Sequence, residues 1–412
     1  MTNEHGLDHD VVIVGGGMVG ASLACALSNT TLRVAVIEST ALLGAGHAPS
    51  RQPSFDARST ALSLSSARFL DGLGLWQAVR GHAQAIQRIH VSDRGHFGST
   101  RMDAREEGLE ALGFVVENQW LGNVLHDGLR ACANLTLLAP ARVDALRRRA
   151  GRVLVSVKLA HGEEERELDA GLAVIADGAR SGLAAALGIV AQQQDYGQQA
   201  LIANIAHRQP HEGRAFERFT DAGPMAMLPL VDAPDGGARS ALVWVQEPGL
   251  AEQARALPEP EFLRRLQQRF GYRLGRLLRA GERHLYPLSL TRATEQARAG
   301  IVLLGNAAHA LHPVAGQGFN LSLRDVAALA ETLGQACARG EAPGALAVLE
   351  RFVARQRADQ ERTIGFSDAL PRIFGSGLLP LAAARDLGLI GLDLLPAARS
   401  LLVRHATGLA GE

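Results

Sequence analysis

Short apolar runs alternate with stretches of helical periodicity along the first half of the chain. Val11–Val14 is an apolar run that meets a cluster of glycines, an Ala/Leu-rich helical stretch follows, and Arg33–Ile37 is a second apolar run. Apolar runs on either side of a helix predict parallel strands buried on both faces. Asp56–Trp76 reads as a polar turn leading into an amphipathic helix. Ile86–Ser92 and Phe114–Glu117 read as short strands flanking a charged segment, Arg101–Glu110. Leu121–Ala131 has helical spacing and Leu135–Leu138 reads as a strand. Val153–Lys158 and Glu165–Leu168 predict a hairpin across His161-Gly162, and Leu172–Ile175 a fully apolar strand.

The pattern then changes. Gln199–Ala206, Gly213–Phe219, Met225–Leu230 and Ala241–Val245 are strand-like and separated by turn clusters such as Asp232–Gly237, which predicts an antiparallel sheet forming its own layer. Pro260–Phe270 is helical, Ile301–Leu304 is another apolar strand, a long helix starts near Gly318, and the tail beyond Ala345 is helical. The predicted class is α/β: a Rossmann-like domain, an inserted antiparallel sheet, and a helical C-terminal region. No internal repeat is present.

Composition narrows the picture. With 412 residues the chain suits two or three closely joined domains. The 42 basic and 42 acidic residues cancel, so no global field favours nucleic acid. Cys25, Cys132 and Cys337 are far apart, with neither zinc spacing nor a disulfide framework, which fits a reducing cytoplasm. Residues 1–9 lack the apolar core of a signal peptide, and no long charge-free stretch predicts a spanning helix. The expectation is a cytoplasmic protein that does not cross a membrane.

The chemistry lies in three glycine constellations. Gly15, Gly17 and Gly20 have G-x-G-x-x-G spacing between the first strand and the first helix, and Glu38 closes the second strand. Gly15 permits the tight turn, Gly17 lets a pyrophosphate approach the helix N-terminus, and Gly20 permits close helix–strand packing. Glu38, about twenty residues on, can accept hydrogen bonds from an adenosine ribose. An acid there favours FAD or NAD over NADP. The second constellation, Asp177-Gly178 with Ser181, follows strand Leu172–Ile175; it is either an ordinary strand-end turn or a contact to a cofactor's sugar. The third, Leu303–Asp325, holds Gly305-Asn306, Pro313, Gly316-Gln317-Gly318 and Asn320. Its backbone N–H groups would point at an electron-rich group at a helix start. His309 and His312 lie on this loop without the further ligands a metal needs, so no metal site is expected.

In this order and spacing, the three constellations resemble the FAD-dependent aromatic hydroxylases of the para-hydroxybenzoate hydroxylase type, over nearly the whole chain. FDARSTALS (55–63), VSDRGHFG (91–98), EGRAFERFT (212–220), PMAMLPL (224–230) and GNAAHALHPVAGQGFNL (305–321) look like the ubiquinone-biosynthesis branch. The resemblance implies a discontinuous FAD-binding domain (8–80, 118–185 and 281–345), a substrate domain (81–117 and 186–280) and C-terminal helices (346–412). It implies that Gly15, Gly17, Gly20 and Glu38 hold the ADP half of FAD, that Arg58 lies near the flavin and that Asp177 and Gly178 lie near the pyrophosphate. Pro313, Gly316, Gln317, Gly318 and Asn320 would line the flavin ring. Asn306 stands where most members carry Asp, so the hydrogen bond to a ribitol hydroxyl would lose its charge assistance.

The implied activity is a monooxygenase using O2 and transient NAD(P)H. It would hydroxylate a polyprenyl phenol, 2-polyprenyl-6-methoxyphenol, to the 1,4-benzoquinol; a sister hydroxylation at another ring carbon and a non-catalytic flavin-fold subunit are the alternatives. No catalytic residue is assigned. Phe216, Phe219, Met225, Met227, Leu228 and Trp244 are either pocket lining or sheet core, and Arg218 and Tyr286 are candidates to polarise a phenol oxygen. A flavin halogenase would need a lysine near its site, and the one lysine, Lys158, falls in the predicted hairpin. The apolar, arginine-spaced segment Ile373–Val403 is either a packed helix pair or a peripheral contact with the inner membrane or other ubiquinone-biosynthesis proteins.

Overall fold

The computed structural model describes residues 8–42, 58–93, 99–159, 165–179, 181–220, 223–311 and 316–374, with 400, 403–404 and 407–408. The apolar runs form the centre of a first, eight-stranded sheet. His9–Val14 lies between Val34–Ile37 and Glu165–Ile175, with Leu135–Leu138 and Ile301–Leu303 outside them, all parallel. Alternate residues enter two separate cores. Val11, Ile13, Val34, Val36, Leu172 and Val174 face helices Met18–Ala26, Asn118–Ala131 and Gln317–Ala338. Val12, Val14, Ala35, Ile37, Ala173 and Ile175 face strands Ala141–Arg149 and Arg152–Leu159. Burial on both faces is why these runs carry no polar alternation. The strands also end level: Val14 pairs with Ile37 and Ile175, and Ile175 with Leu303.

The predicted hairpin arm Glu165–Leu168 and the apolar strand Leu172–Ile175 are one 11-residue strand. Its first half pairs antiparallel with Arg152–Leu159 and its second half joins the parallel centre.

The second sheet has nine strands. In spatial order they are His309–Ala310, His284–Ala293, Ala191–His207, Arg239–Gln246, Met225–Pro229, Arg214–Phe219, Arg88–Asp93 and Ser99–Asp103, with Leu277–Ala280 alongside Ala191–His207. It therefore takes in His284–Ala293, beyond the boundary drawn at 280. Pro287 hides this strand from a sequence reading, because proline interrupts a strand pattern. Here it costs no ladder bond: the strand's outer side pairs only at Thr291 and Arg292. Ser99–Asp103, which runs into the start of the charged segment, is likewise an edge strand.

One face of this sheet is closed by helices Pro248–Ala256 and Glu259–Phe270. Leu201, Phe216, Met225, Met227, Leu242 and Trp244 pack there against Phe262, Leu266 and Phe270. Phe216, Met225, Met227 and Trp244 are thus sheet core. Phe219 and Leu228 sit on the other face, among Ile86, Val91 and Val115. A third sheet of Ser59–Leu62, Gly113–Glu117 and Ala83–Ile86 stands between the two larger ones. Helix Leu346–Phe374 packs along Gln317–Ala338. The segment Ile373–Val403 falls almost entirely outside the described residues. Among the described residues, no helix is long and apolar enough to cross a membrane.

Candidate active site at the strand ends

Level strand ends bring the three glycine constellations to one edge of the first sheet. Gly15 has φ +103, and a Cβ there would lie 2.6 Å from the Ala176 carbonyl oxygen, the residue before Asp177. A Cβ on Gly20 would lie 1.9 Å from the Gly15 oxygen, so helix Met18–Ala26 sits against the turn as only glycine permits. Glu38 is buried, and its carboxylate accepts hydrogen bonds from Gly16 N at 2.7 Å and Thr40 N at 2.8 Å. The helix starts at Gly17 with no side-chain cap.

Asp177 and Gly178 follow the central strand directly. Burial pushes the Asp177 carboxyl up, and a hydrogen bond from Ser181 works against it. Gly178 has φ +95 and open space where a Cβ would stand.

The third loop rests on the first. A Cβ on Gly305 would come within 2.9 Å of the Val19 side chain. Asn306 is exposed in the 3-10 turn Gly305–Ala307. Gly316, at φ +62, starts helix Gln317–Ala338, again without a side-chain cap, and packs on Ala61. Gln317 is buried, and Gly318 has room beside Leu311. Asn320 is buried with its amide fully engaged: Oδ1 accepts from Ser63 N and Ser66 Oγ, both at 2.8 Å, and Nδ2 donates to Ala61 O at 2.8 Å and Gly316 O at 2.9 Å. It holds the loop, and those bonds leave its side chain no further part. His309 donates to Asp325 at 2.6 Å, and Gln360 donates to the same carboxylate. That histidine anchors the loop to two helices. Pro313 and His312 lie outside the described residues.

Arg58 reaches from the third sheet to the second: its guanidinium sits 4.6 Å over the Tyr286 ring. Arg218 is on the helix-backed face with Phe216, away from these loops. Lys158 pairs with Asp144 at 2.6 Å and Glu165 at 3.3 Å on the hairpin of the first sheet. No group of His, Cys, Asp and Glu suited to a metal occurs among the described residues.

Two site features carry no sequence signal. His126, on helix Asn118–Ala131, is buried beside Gly16 and Glu38; burial, with Arg130 adding to it, holds its imidazole below the usual range. Glu117 accepts from Arg239 at 3.1 and 2.9 Å and from Asn204 at 3.1 Å, tying the second sheet to the third. Neither belongs to a motif, and each acquires its role only from tertiary contact.

A carboxylate at the ribose position, two uncapped helix N-termini and glycines where a Cβ would collide fit a pyrophosphate-bridged dinucleotide. The fold and this edge define a flavoprotein-type dinucleotide site. Residues 8–365 match the family model described as FAD binding domain. The chain is 40% identical over 407 residues to ubiquinone hydroxylase UbiL of Rhodospirillum rubrum, covering 97% of this chain and 89% of that protein. It is 33% identical over 411 residues to 3-demethoxyubiquinol 3-hydroxylase of Escherichia coli, covering 99% and 100%. Among solved structures, p-nitrophenol 4-monooxygenase PnpA of Pseudomonas putida superposes with a TM-score of 0.77 at 22% identity, covering 98% of each chain. That likeness shows the fold.

The chain belongs to the FAD-dependent aromatic hydroxylases, in the ubiquinone-biosynthesis branch. FAD is its cofactor, and NAD(P)H is the reductant typical of the family.

Proposed function

We infer that this protein hydroxylates the ring of a polyprenyl phenol on the way to ubiquinone, with 2-polyprenyl-6-methoxyphenol as substrate and the 1,4-benzoquinol as product. The level ends of strands His9–Val14, Val34–Ile37, Glu165–Ile175 and Ile301–Leu303 carry the reading, because they gather the glycine loops at one edge beneath the second sheet.

When bound, FAD supplies the reductive activation of O2, so that one oxygen atom can pass to an electron-rich ring. Gly15, Gly17 and Gly20 would admit the pyrophosphate to the uncapped start of helix Met18–Ala26, and Glu38 would accept from the ribose. Asp177 and Gly178 would stand beside the pyrophosphate, and Asn306 would accept from the ribitol. Gly316, Gln317 and Gly318, with Pro313, would face the flavin ring through backbone groups, and Asn320 would keep that loop in place. Arg58, held over Tyr286, would border the ring from the third sheet. The second and third sheets would shield the ring from water, which would favour oxygen transfer over release of hydrogen peroxide. The substrate resides in bilayers, so the protein would work at a membrane surface or beside other proteins of the pathway.

A second reading has its own support: the Escherichia coli relative is a 3-demethoxyubiquinol 3-hydroxylase. Quinone profiling of a strain lacking the protein tests both. Accumulation of 2-polyprenyl-6-methoxyphenol, reversed by the restored protein, is the expected outcome. Accumulation of 3-demethoxyubiquinol moves the reaction to the other ring carbon, and an unchanged profile refutes both readings.

A further inference from the structure

We propose that the Glu217 carboxyl receives the phenolic hydroxyl of the substrate, in a chamber between the second sheet and the cofactor-binding strand ends. The inference rests on the phenol hydroxylase reading above and names the residue that acts on the phenol.

The two faces of the second sheet differ. On the helix-backed face, Leu201, Met225, Met227, Leu242 and Trp244 are fully buried. The alternate residues point the other way, and pairing aligns six of them in one row across the sheet: Val91, Glu217, Ala226, Val243, Ile202 and His284. Glu217, Ala226, Val243 and Ile202 are only half-buried although strands flank them on both sides, while His284 lies on the open edge. Ile202 and Val243 lean on the small core of Ala200, Val245 and Leu288, whereas Glu217 and Ala226 keep accessible surface in the middle of the sheet, and there the row borders open space.

Neighbouring rows locate that space. On one side, Asn204, level with Ala241, bonds to Glu117 at the end of strand Gly113–Glu117. On the other, Tyr286, level with Ala200, lies under Arg58. Glu217's row runs between these two bridges, so it faces the third sheet. There Ala61, opposite Val115, packs on Gly316 of the third glycine loop. The neighbour of Glu217 in the row is the small, half-buried Ala226.

Glu217 is out of place in such a row unless something polar meets it. Among the described residues it has neither hydrogen bond nor ion pair, and burial alone pushes its carboxyl above the usual range. A carboxyl set in an apolar interior without a partner is costly, and a ligand hydroxyl reaching its open side satisfies it. A raised carboxyl is also better matched to a phenol than an ordinary one. The phenol proton passes to the carboxylate, and the oxygen's electron pair enriches the ring carbon where the new C–O bond forms. That carbon then loses its own proton to water, and Glu217 returns the first proton to the phenolate oxygen. The carboxylate ends unchanged; O2 and NAD(P)H supply the oxygen atom and the electrons.

The test uses FAD-loaded wild type, Glu217→Gln and Glu217→Leu, with 2-methoxyphenol carrying a short prenyl chain at position 6, and its O-methyl ether. Ultraviolet difference spectra read phenolate formation and affinity, and bound flavin reports folding. The wild type should bind the phenol at least about ten-fold tighter than the ether and develop a phenolate band. Glu217→Gln should keep affinity within a few fold and lose the band, and Glu217→Leu should lose the ten-fold preference. A phenolate band and preference unchanged in both variants overturn the assignment of Glu217. A wild type that binds neither compound overturns the phenol reading itself.

Discussion

Gly20 shows how little freedom a single position has at the dinucleotide turn. A methyl group there would sit 1.9 Å from the Gly15 carbonyl oxygen, so helix Met18–Ala26 would have to slide along the first sheet. Gly20→Ala should cost about 1–3 kcal/mol through overpacking, and the purified protein should lose most of its bound FAD; thermal denaturation and the flavin-to-protein absorbance ratio check both. Such positions are legible in a sequence because backbone geometry accepts one residue type. Glu217 was not legible. Arg214, Phe216 and Arg218 share one face while Ala215, Glu217 and Phe219 share the other, so polar and apolar residues mix on both and the alternation gives no direction. Arginine stems can lie along apolar surface, which blurs the pattern further.

Elements built from unbroken apolar runs were readable because strands buried on both faces exclude polar residues. The strands that escaped are those where another constraint overrides hydrophobicity: Pro287 on a largely open edge, and Ser59–Leu62, whose residues serve contacts with the third glycine loop. The start of helix Gln317–Ala338 illustrates this. Its junction with strand Ser59–Leu62 and helix Leu64–Gly72 is made by the Asn320 amide, which satisfies two donors and two acceptors. Asn320→Ala would strand these buried groups. The expected loss is about 2–4 kcal/mol of stability, accompanied by weaker flavin retention, read by denaturant unfolding and by equilibrium dialysis of FAD.

At the scale of the molecule, the sequence indicated two layers and their order along the chain but not how they are joined. The join is polar: Arg239 and Asn204 from the second sheet converge on Glu117 of the third. Glu117→Ala would take away the carboxylate that neutralises the half-buried Arg239, leaving its guanidinium only the Val231 carbonyl. It should cost about 2–4 kcal/mol and raise the hydrogen peroxide released per NAD(P)H oxidised, since a looser join admits water. Peroxide output equal to the wild type would show that this bridge has no part in sealing the chamber.

The helices behind the second sheet have an evolutionary corollary. Because Trp244, Met227 and their neighbours secure that layer from outside, the half-buried positions around Glu217 and Ala226 on its opposite side carry less of the burden of folding. Substitutions there could move oxygen insertion from one ring carbon to the next while the scaffold persists. Diversification of chemistry and conservation of architecture are thereby assigned to opposite sides of a single layer.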